Sequence, residues 1–391
     1  MTDTTASSPG WELDDALLAR IAARAPGYDR DGRFCTEDLA ELRDAGYLRV
    51  GVPVGSGGAG LGLRDTARIQ RRLAAAAPAT ALGLGMHQVW VQAGRAVGAR
   101  GESFLQIVTD AAAADRLLAF GVSEAGNDAV LFDSTTRAES DGAGGWRFTG
   151  RKSTVSLAPA WDLLSVFGRD DSDPAAPVLV HGFVERQQPG HRALGDWDTL
   201  GMRATRSDAT ELDGVHVPAD RIVRVLPVGP SADPLVFGIF AAFELLVAAV
   251  YAGIAERALA LAVEGVGRRT ALDGTPRSSD PDVRRALADA QGAVDAVVLQ
   301  IDALTRDVDD LVDHGPRWFP LLVGTKARSV DTAAHVVDEA MRVVGGGAYR
   351  AGAELARLAR DVRAGQYHPS SRDSAARTIA AALLGPVPAP H

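Results

Sequence analysis

The sequence predicts an α+β protein in which a β-rich middle region separates two helical regions. Apolar residues recur at helical spacing over most of residues 11–114. They alternate with polar residues from 117 to about 225, and return to helical spacing over 234–385. Because 391 residues exceed one ordinary hydrophobic core, two or three domains are expected. We predict an N-terminal helical domain over 1–116, a central β domain over 117–230 and a C-terminal four-helix bundle over 231–391.

Composition argues against several classes of function. A content of 46% hydrophobic and 23% charged residues is typical of a soluble globular protein. The 41 basic and 50 acidic residues give a net charge of −9, which argues against nucleic acid as the main partner. The single cysteine, Cys35, permits neither an intrachain disulfide nor a thiolate metal cluster, and no metal site is expected. Residues 1–10 lack the basic start and apolar run of a signal peptide, which predicts a cytoplasmic protein.

The first helical region follows a polar tail. Leu17 and Ile21 fit a helix over about 11–25, and Thr36 is a plausible N-cap for a second helix. The glycine-rich segment 54–62 resembles a phosphate-binding loop. Since no Lys-Ser or Lys-Thr pair follows it, we interpret it as a flexible connector.

The β region contains the residues most suggestive of a ligand site. Phe120 begins a short apolar strand that runs into small hydrogen-bonding residues. The alternating segments 137–141 and 145–150 flank a turn rich in Gly and Asp, which predicts a β-hairpin. Residues 150–156 place three hydroxyls at or near a strand end, where they can face a ligand. A second signature, 197–207, combines an aromatic residue with Gly, Arg, Thr and Ser.

The bundle is predicted from four long segments, 235–264, 281–311, 318–344 and 354–384, the last interrupted near His368. Residues 235–255 have the length and apolar character of a membrane span. Glu244 lies in the middle of this stretch and no basic cluster flanks it, so a buried bundle helix is preferred and no membrane is expected. A carboxylate there is costly unless paired or protonated. We expect either an ion pair with an arginine or a perturbed carboxylate at an active-site cavity.

The segments 120–128, 150–156 and 197–207 together resemble the central β domain of the acyl-CoA dehydrogenase superfamily, and the order of the three regions resembles its layout over nearly the whole chain. The resemblance implies a flavin cofactor, either FAD or FMN, whose ring is held by strand ends and loops. The matching cofactor-contacting positions are Val122, Ser123, Thr154, Ser156 and Trp197.

The dinucleotide half of the cofactor site departs from the superfamily pattern. Gly345 and Gly346 match a glycine turn that approaches the adenylate side of the flavin in a neighbouring subunit, which implies a homotetramer or homodimer. Arg268 matches the start of the motif that grips the FAD diphosphate, but the Phe-Gly pair of that motif is missing. Arg342 replaces a glutamine that usually precedes the glycine turn. We therefore expect weak, exchangeable flavin binding.

The superfamily's usual glutamate base is missing too. It follows a tyrosine after the Arg-Asp-x-Arg turn, which matches 360–363 here. Aligning the tyrosines places His368 at that position and ungapped counting places Pro369 there, so neither alignment supplies a carboxylate. A monooxygenase branch of the superfamily fits these departures. Its members take reduced flavin from a separate reductase, form a C4a-hydroperoxide and hydroxylate small organic substrates. His368, Ser156 and His87 match catalytic positions of that branch, although His87 also fits an ordinary buried helix histidine.

Two alternatives remain open. An acyl-CoA or acyl-carrier thioester dehydrogenase could use Glu244 as its base, because some dehydrogenases of the superfamily carry the glutamate on the first bundle helix. The second alternative is a protein that keeps the flavoprotein fold without enzymatic activity and acts only as a binding or structural partner. Anaerobic bleaching by an acyl-CoA distinguishes a dehydrogenase from a monooxygenase, which needs reductant and oxygen.

Overall fold

The structure, a computed structural model, describes residues 11–127, 129–270 and 272–385. The first helical region contains α1 (Asp15–Asp31), α2 (Thr36–Asp44), α3 (Leu63–Ala76), α4 (Pro78–Gly98) and α5 (Gln106–Ala113). Helix α1 begins later than predicted because Asp14 is its N-cap, and the Asp14 carboxylate accepts a hydrogen bond from the amide of Leu17. Helix α1 ends at Gly32, which adopts the left-handed conformation that glycine tolerates best.

The central region forms one sheet of eight strands: β1 (Leu118–Phe120), β2 (Arg137–Ser140), β3 (Trp146–Lys152), β4 (Leu163–Asp170), β5 (Val178–Glu185), β6 (His191–Ala193), β7 (Thr210–Val217) and β8 (Ile222–Pro227). The strand order is β6-β7-β3-β2-β4-β5-β8, with β1 parallel to β4. The predicted hairpin is confirmed, since β2 and β3 pair antiparallel with Ser140 opposite Trp146. Asp141 accepts hydrogen bonds from the amides of Ala143 and Gly145, which fixes its turn.

The second helical region contains α6 (Pro234–Gly267), α7 (Pro281–Asp309), α8 (Trp318–Val344), α9 (Glu354–Asp361) and α10 (Arg372–Leu384). The fourth predicted segment is therefore two helices, joined by a turn over 362–371. Helix α6 packs against α7 and α8 and also against α3 and α4, so both helical regions share one hydrophobic core. Its most apolar window is 89% buried, which makes α6 a core helix despite its membrane-like length.

The glycine-rich connector 54–62 ends against the bundle. The Asp309 carboxylate at the end of α7 accepts hydrogen bonds from the amides of Leu63 and Arg64 at 2.8 and 3.0 Å. A Cβ at Gly62 would lie 2.5 Å from that carboxylate, so glycine permits the close approach. The Asp309 carboxylate thus occupies the first amides of α3, where a phosphate would bind in a phosphate-binding loop.

Candidate active site

Two neighbouring cavities lie where the sheet meets the helices. The strand-end cavity, of about 490 Å³, is lined by apolar residues and by a set of polar and charged ones, namely Ser123, Thr154, Ser156, Trp197, Thr199, Thr205, Ser207, Arg360, Arg363, Gln366, Tyr367 and His368. The phenylalanine cavity, of about 670 Å³, is lined by Phe120, Phe132, Phe240, Phe243, Phe319, Glu244, Ser370 and further small or apolar side chains. Phe120, Phe243 and Pro369 belong to the walls of both, so a ligand in one cavity is adjacent to the other. Both volumes suit a ligand of cofactor or substrate size.

The strand ends that line the first cavity are tied together by a buried ion pair. The Lys152 ammonium lies 2.6 Å from the Glu124 carboxylate, and both side chains are fully buried. Burial raises the pKa of Glu124, but Lys152 and hydrogen bonds from groups such as the Thr136 hydroxyl lower it to about 2. The amide of Ser153 donates to the carbonyl of Ser123 at 2.8 Å. These contacts fix the backbone beside Ser123. The strand that was predicted to begin at Phe120 instead ends there, because β1 covers Leu118–Phe120, so Ser123 follows the strand.

A chain of three hydroxyls runs along one wall of the strand-end cavity. Ser156 Oγ lies 2.8 Å from Ser207 Oγ, which in turn lies 2.8 Å from Thr205 Oγ1. Thr205 donates its only proton to the carbonyl of Met202 at 2.9 Å. Ser207 must then donate to Thr205, and Ser156 must donate to Ser207. Ser156 therefore presents its free lone pairs, not a proton, to the cavity.

The 197–207 segment is held against α9. The amide of Met202 donates to Asp361 Oδ1 at 2.6 Å, and burial raises the pKa of Asp361 to about 6. A Cβ at Gly201 would lie 2.4 Å from the carbonyl of Arg360, so this contact requires glycine. The hydroxyl chain is thereby fixed relative to the turn that follows α9.

That turn presents His368 to the strand-end cavity. His368 Nε2 lies 2.8 Å from the hydroxyl of Tyr251 on α6. Burial raises the pKa of Tyr251 well above 10.0, so the phenol remains protonated. Burial and the charge of Lys326 lower the pKa of His368 to about 3, so the imidazole is neutral near neutral pH. Because the ring is desolvated beside a cation, its pKa is far below that of an ordinary exposed histidine.

A buried lysine holds the turn. The Lys326 ammonium on α8 donates to the carbonyls of His368, Pro369 and Ser370 at 3.4, 3.1 and 3.0 Å. An ammonium has three donors, so these three carbonyls occupy all of them. The turn thus depends on one side chain from a different helix.

Two family models match the chain, "Acyl-CoA dehydrogenase, N-terminal domain" over 12–98 and "Acyl-CoA dehydrogenase, C-terminal domain" over 245–372. An L-evernosamine nitrososynthase from a Micromonospora species is 33% identical over 391 residues, covering 96% of this chain and 89% of the relative. The chain belongs to the acyl-CoA dehydrogenase superfamily. Within this superfamily it is a flavin-dependent oxidoreductase, as the sequence predicted, and its relatives include members of the flavin monooxygenase branch.

Two further superfamily members are similar over most of the chain. A dibenzothiophene monooxygenase from Rhodococcus erythropolis is 28% identical over 355 residues, covering 84% of this chain and 82% of the relative. The solved structure of KijD3 in complex with FMN and dTDP-3-amino-2,3,6-trideoxy-4-keto-3-methyl-D-glucose is 29% identical. Its TM-score is 0.79, with 95% of this chain and 91% of that chain covered.

Glu244 lies at the wall of the phenylalanine cavity and is only 1% exposed. The expected ion pair with an arginine is wrong, because Glu244 forms no salt bridge with any residue in the described ranges. Burial raises its pKa, and the charge of Lys326 opposes that rise. The Ser370 hydroxyl also favours the ionised form, but neither carboxylate oxygen has a partner with hydrogen-bond geometry among the described residues.

The structure does not bring His87 to either cavity. The amide of Leu118 donates to His87 Nδ1 at 3.1 Å, and His87 Nε2 lies 2.8 Å from the carbonyl of Leu48. Burial lowers the pKa of His87 to about 4, and both ring nitrogens bond to backbone. Its predicted catalytic role is therefore not supported, and the alternative of a buried structural histidine fits the contacts. Its neighbour Met86 lines the strand-end cavity instead.

The remaining predicted cofactor positions divide into two groups. Val122 lines the phenylalanine cavity and not the strand-end cavity. Arg268 is exposed and paired with Glu264, while Gly345 and Gly346 lie at the end of α8. None of these last three lines either cavity, so a role for them in this site requires a neighbouring subunit.

Sequence reasoning missed several residues that shape the site. Ser207 and Thr205 lie inside the 197–207 signature, but their relay to Ser156 depends on the folded segment. Tyr251 gave no signal in the sequence, because it lies among the many apolar residues of α6 and looks like one more core side chain. Lys326 did carry a signal, because it is a lone lysine flanked by small and apolar residues on a bundle helix. Within the described ranges, no group of His, Cys, Asp and Glu is placed to hold a metal ion.

Proposed function

We propose that this protein is a reduced-flavin-dependent monooxygenase that oxidises a small organic substrate. In this proposal the flavin ring lies in the strand-end cavity against Ser123, Thr154, Ser156 and Trp197, and the substrate lies in the phenylalanine cavity. The protein would act in the cytoplasm as a homodimer or homotetramer and take reduced flavin from a separate reductase. The nitrososynthase and dibenzothiophene monooxygenase relatives support an oxygen-transferring activity.

The direction of the hydroxyl chain is the observation that carries the proposal. A reduced flavin bears a proton on N5 and an oxidised flavin bears a lone pair there. Ser156 presents lone pairs to the cavity because its proton is used by Ser207. It therefore suits the reduced form, which is the form that a two-component monooxygenase must bind.

The residues around the ring perform supporting roles. Together with dioxygen, bound reduced flavin supplies one oxygen atom to the substrate, while the other leaves as water with the two electrons and two protons of the reduced ring. His368 is neutral and held by Tyr251, so it offers hydrogen-bonding groups without adding a charge to a cavity that must exclude water. Met86, Leu82 and Phe243 make much of the remaining wall apolar.

The proposal is tested by supplying chemically reduced FMN or FAD, isotopically labelled dioxygen and a panel of small organic substrates. A monooxygenase incorporates one labelled atom into product and uses one reduced flavin per product. Peroxide formation alone with every substrate, at the rate of free reduced flavin, would contradict the proposal.

A second candidate function is dehydrogenation of an acyl thioester with Glu244 as base. The position of Glu244 at the wall of the phenylalanine cavity and its raised pKa favour it. Anaerobic titration with acyl-CoA thioesters should bleach the oxidised flavin of a dehydrogenase and leave that of a monooxygenase unchanged. Bleaching that disappears in Glu244→Gln would establish this second function in place of the first.

A further inference from the structure

The phenylalanine cavity has an unusual lining for a substrate site. Its aromatic wall consists of Phe120, Phe132, Phe240, Phe243 and Phe319. The rings of Phe120 and Phe243 stack with centroids 5.6 Å apart, and those of Phe132 and Phe240 stack at 5.8 Å. Phe319 meets Phe240 edge-on at 5.2 Å. Aromatic rings form an apolar surface, and their electron-rich faces also attract cations.

Glu244 is the only charged residue among the described residues that line this cavity. Both of its oxygens are buried and lack a hydrogen-bond partner in the described part of the chain. Lys326, the cation that influences it most, has its three donors directed to the carbonyls of His368, Pro369 and Ser370. A buried carboxylate without a partner is costly unless it is protonated, so a ligand that supplies a donor or a positive charge would stabilise the ionised form of Glu244.

We infer that the substrate of this site is a hydrophobic amine without a nucleotide, whose nitrogen binds at Glu244 and whose apolar body packs on the five phenylalanines. The inference rests on the proposed function and names its substrate class. A nucleotide or coenzyme A phosphate needs basic partners, and no Arg, Lys or His lines the described wall of the cavity. The amine enters as an ammonium ion, attracted by the carboxylate and the ring faces.

Glu244 also has the chemistry to prepare the nitrogen for oxidation. An ammonium ion has no lone pair with which to attack an oxygen atom. Transfer of one proton breaks an N–H bond and forms an O–H bond on Glu244, leaving a neutral amine and a neutral carboxyl group. No electrons are exchanged in this step. Burial raises the pKa of Glu244, which brings it closer to that of the amine and makes the transfer less unfavourable than to an exposed carboxylate.

The experiment compares ligands of equal shape that differ in charge. The full-length protein is loaded with reduced FMN under anaerobic conditions and titrated by calorimetry with 2-phenylethylamine, 2-phenylethanol and dTDP. The amine is expected to bind at least about tenfold more tightly than the alcohol, because only the amine makes a charge-assisted hydrogen bond. Equal affinities for amine and alcohol, or binding of dTDP in preference to the amine, would overturn the inference.

Variants locate the effect. In Glu244→Gln the preference for the amine should fall to about equality, and Glu244→Asp should retain part of it. Glu256→Gln is the matched control, because Glu256 lies on the same helix, pairs with Arg71 and lines neither cavity. A preference that persists unchanged in Glu244→Gln would contradict the inference. If Glu244→Gln does not fold, the wild-type ratio of amine to alcohol affinity still decides.

The two proposals fail in different ways. If the amine is preferred but labelled dioxygen yields no oxygenated product, the monooxygenase proposal is wrong and the amine site stands. If sulfides or alcohols are oxygenated with no preference for an amine, the monooxygenase stands and the amine site is wrong. Binding is measured without oxygen, so the first result does not depend on turnover.

Discussion

In the proposed function, the Ser156 hydroxyl favours the reduced state of the flavin. Ser156→Ala removes the acceptor at the end of the Ser207–Thr205 relay. The ratio of oxidised to reduced flavin dissociation constants should fall by about fivefold, or about 1 kcal/mol, and peroxide should replace part of the product. Equilibrium titrations of both redox forms and a peroxide assay measure these changes. Ser153→Ala is the control, because Ser153 belongs to the same segment as Ser156 but lines neither cavity. If the ratio of dissociation constants is unchanged in Ser156→Ala, Ser156 does not select the redox state of the flavin.

At His368, the depressed pKa makes stability depend on pH. The folded pKa of about 3 lies below the ordinary value of 6.5, so the unfolded chain binds the proton first as pH falls. The stabilisation is fully present above about pH 6.5 and is lost as pH falls through that window towards the folded value. His368→Gln should reduce the pH slope of the unfolding free energy there by up to about 1.4 kcal/mol per pH unit. Urea unfolding at several pH values measures it.

The control for that measurement is His335→Gln, at an exposed position on α8. His87 and His181 are buried with lowered pKa values, so they contribute slopes of the same sign in both proteins. The difference between the wild type and His368→Gln therefore isolates one group. An identical slope in the two proteins would show that the His368 ring is accessible to protons in the folded state.

At the scale of elements, α8 determines the shape of the active-site turn through Lys326. Lys326→Met removes the donor shared by three successive carbonyls and should lower the free energy of unfolding by about 2 kcal/mol. Amide exchange should accelerate in residues 367–371, because this part of the turn loses its three hydrogen bonds to the Lys326 ammonium of α8. Denaturant unfolding and hydrogen exchange by mass spectrometry test both effects.

Arg328→Met, on the same helix, is the matched control, since its guanidinium bonds to Gln300 and Thr325 near the surface. It should change the free energy of unfolding by less than about 1 kcal/mol and leave exchange in the turn unaltered. Equal effects from the two substitutions would mean that the turn is held by its own backbone and not by Lys326. In that case, substitutions at Lys326 would leave the shape of the turn at His368 unchanged.

At the scale of the whole molecule, the proposed cofactor site holds the residues expected at the flavin ring but not those expected at the dinucleotide. Ser123, Thr154, Ser156 and Trp197 line one cavity and Val122 lines the adjoining one, whereas a second group lies outside both, namely Arg268, Gly345 and Gly346. Purified protein should therefore lose oxidised flavin on gel filtration, while reduced flavin binds more tightly. Absorbance of the eluted protein and anaerobic titration measure this retention. A stoichiometric yellow protein that keeps oxidised FAD through dilution would contradict the prediction.

The sequence by itself determined the order of the regions and the superfamily. Period changes in hydrophobicity located α6, α7 and α8 to within a few residues, because side-chain periodicity is a local property of each element. The sequence also predicted the cavity-lining hydroxyls of Ser123, Thr154 and Ser156, because each lies in a short contiguous motif. The vacated base position at His368 was also visible there.

Only the tertiary structure decided what these residues can do. The proton direction at Ser156 depends on Ser207 and Thr205, which are brought to it by the fold of the 197–207 segment. The sequence could not show that Glu244 lacks an arginine partner among the described residues, because this depends on which helices surround α6. Lys326, expected from no motif, lies close enough to influence Glu244 yet is occupied by the turn. Burial and long-range contacts set charge and hydrogen-bond direction, and neither is encoded in local spacing.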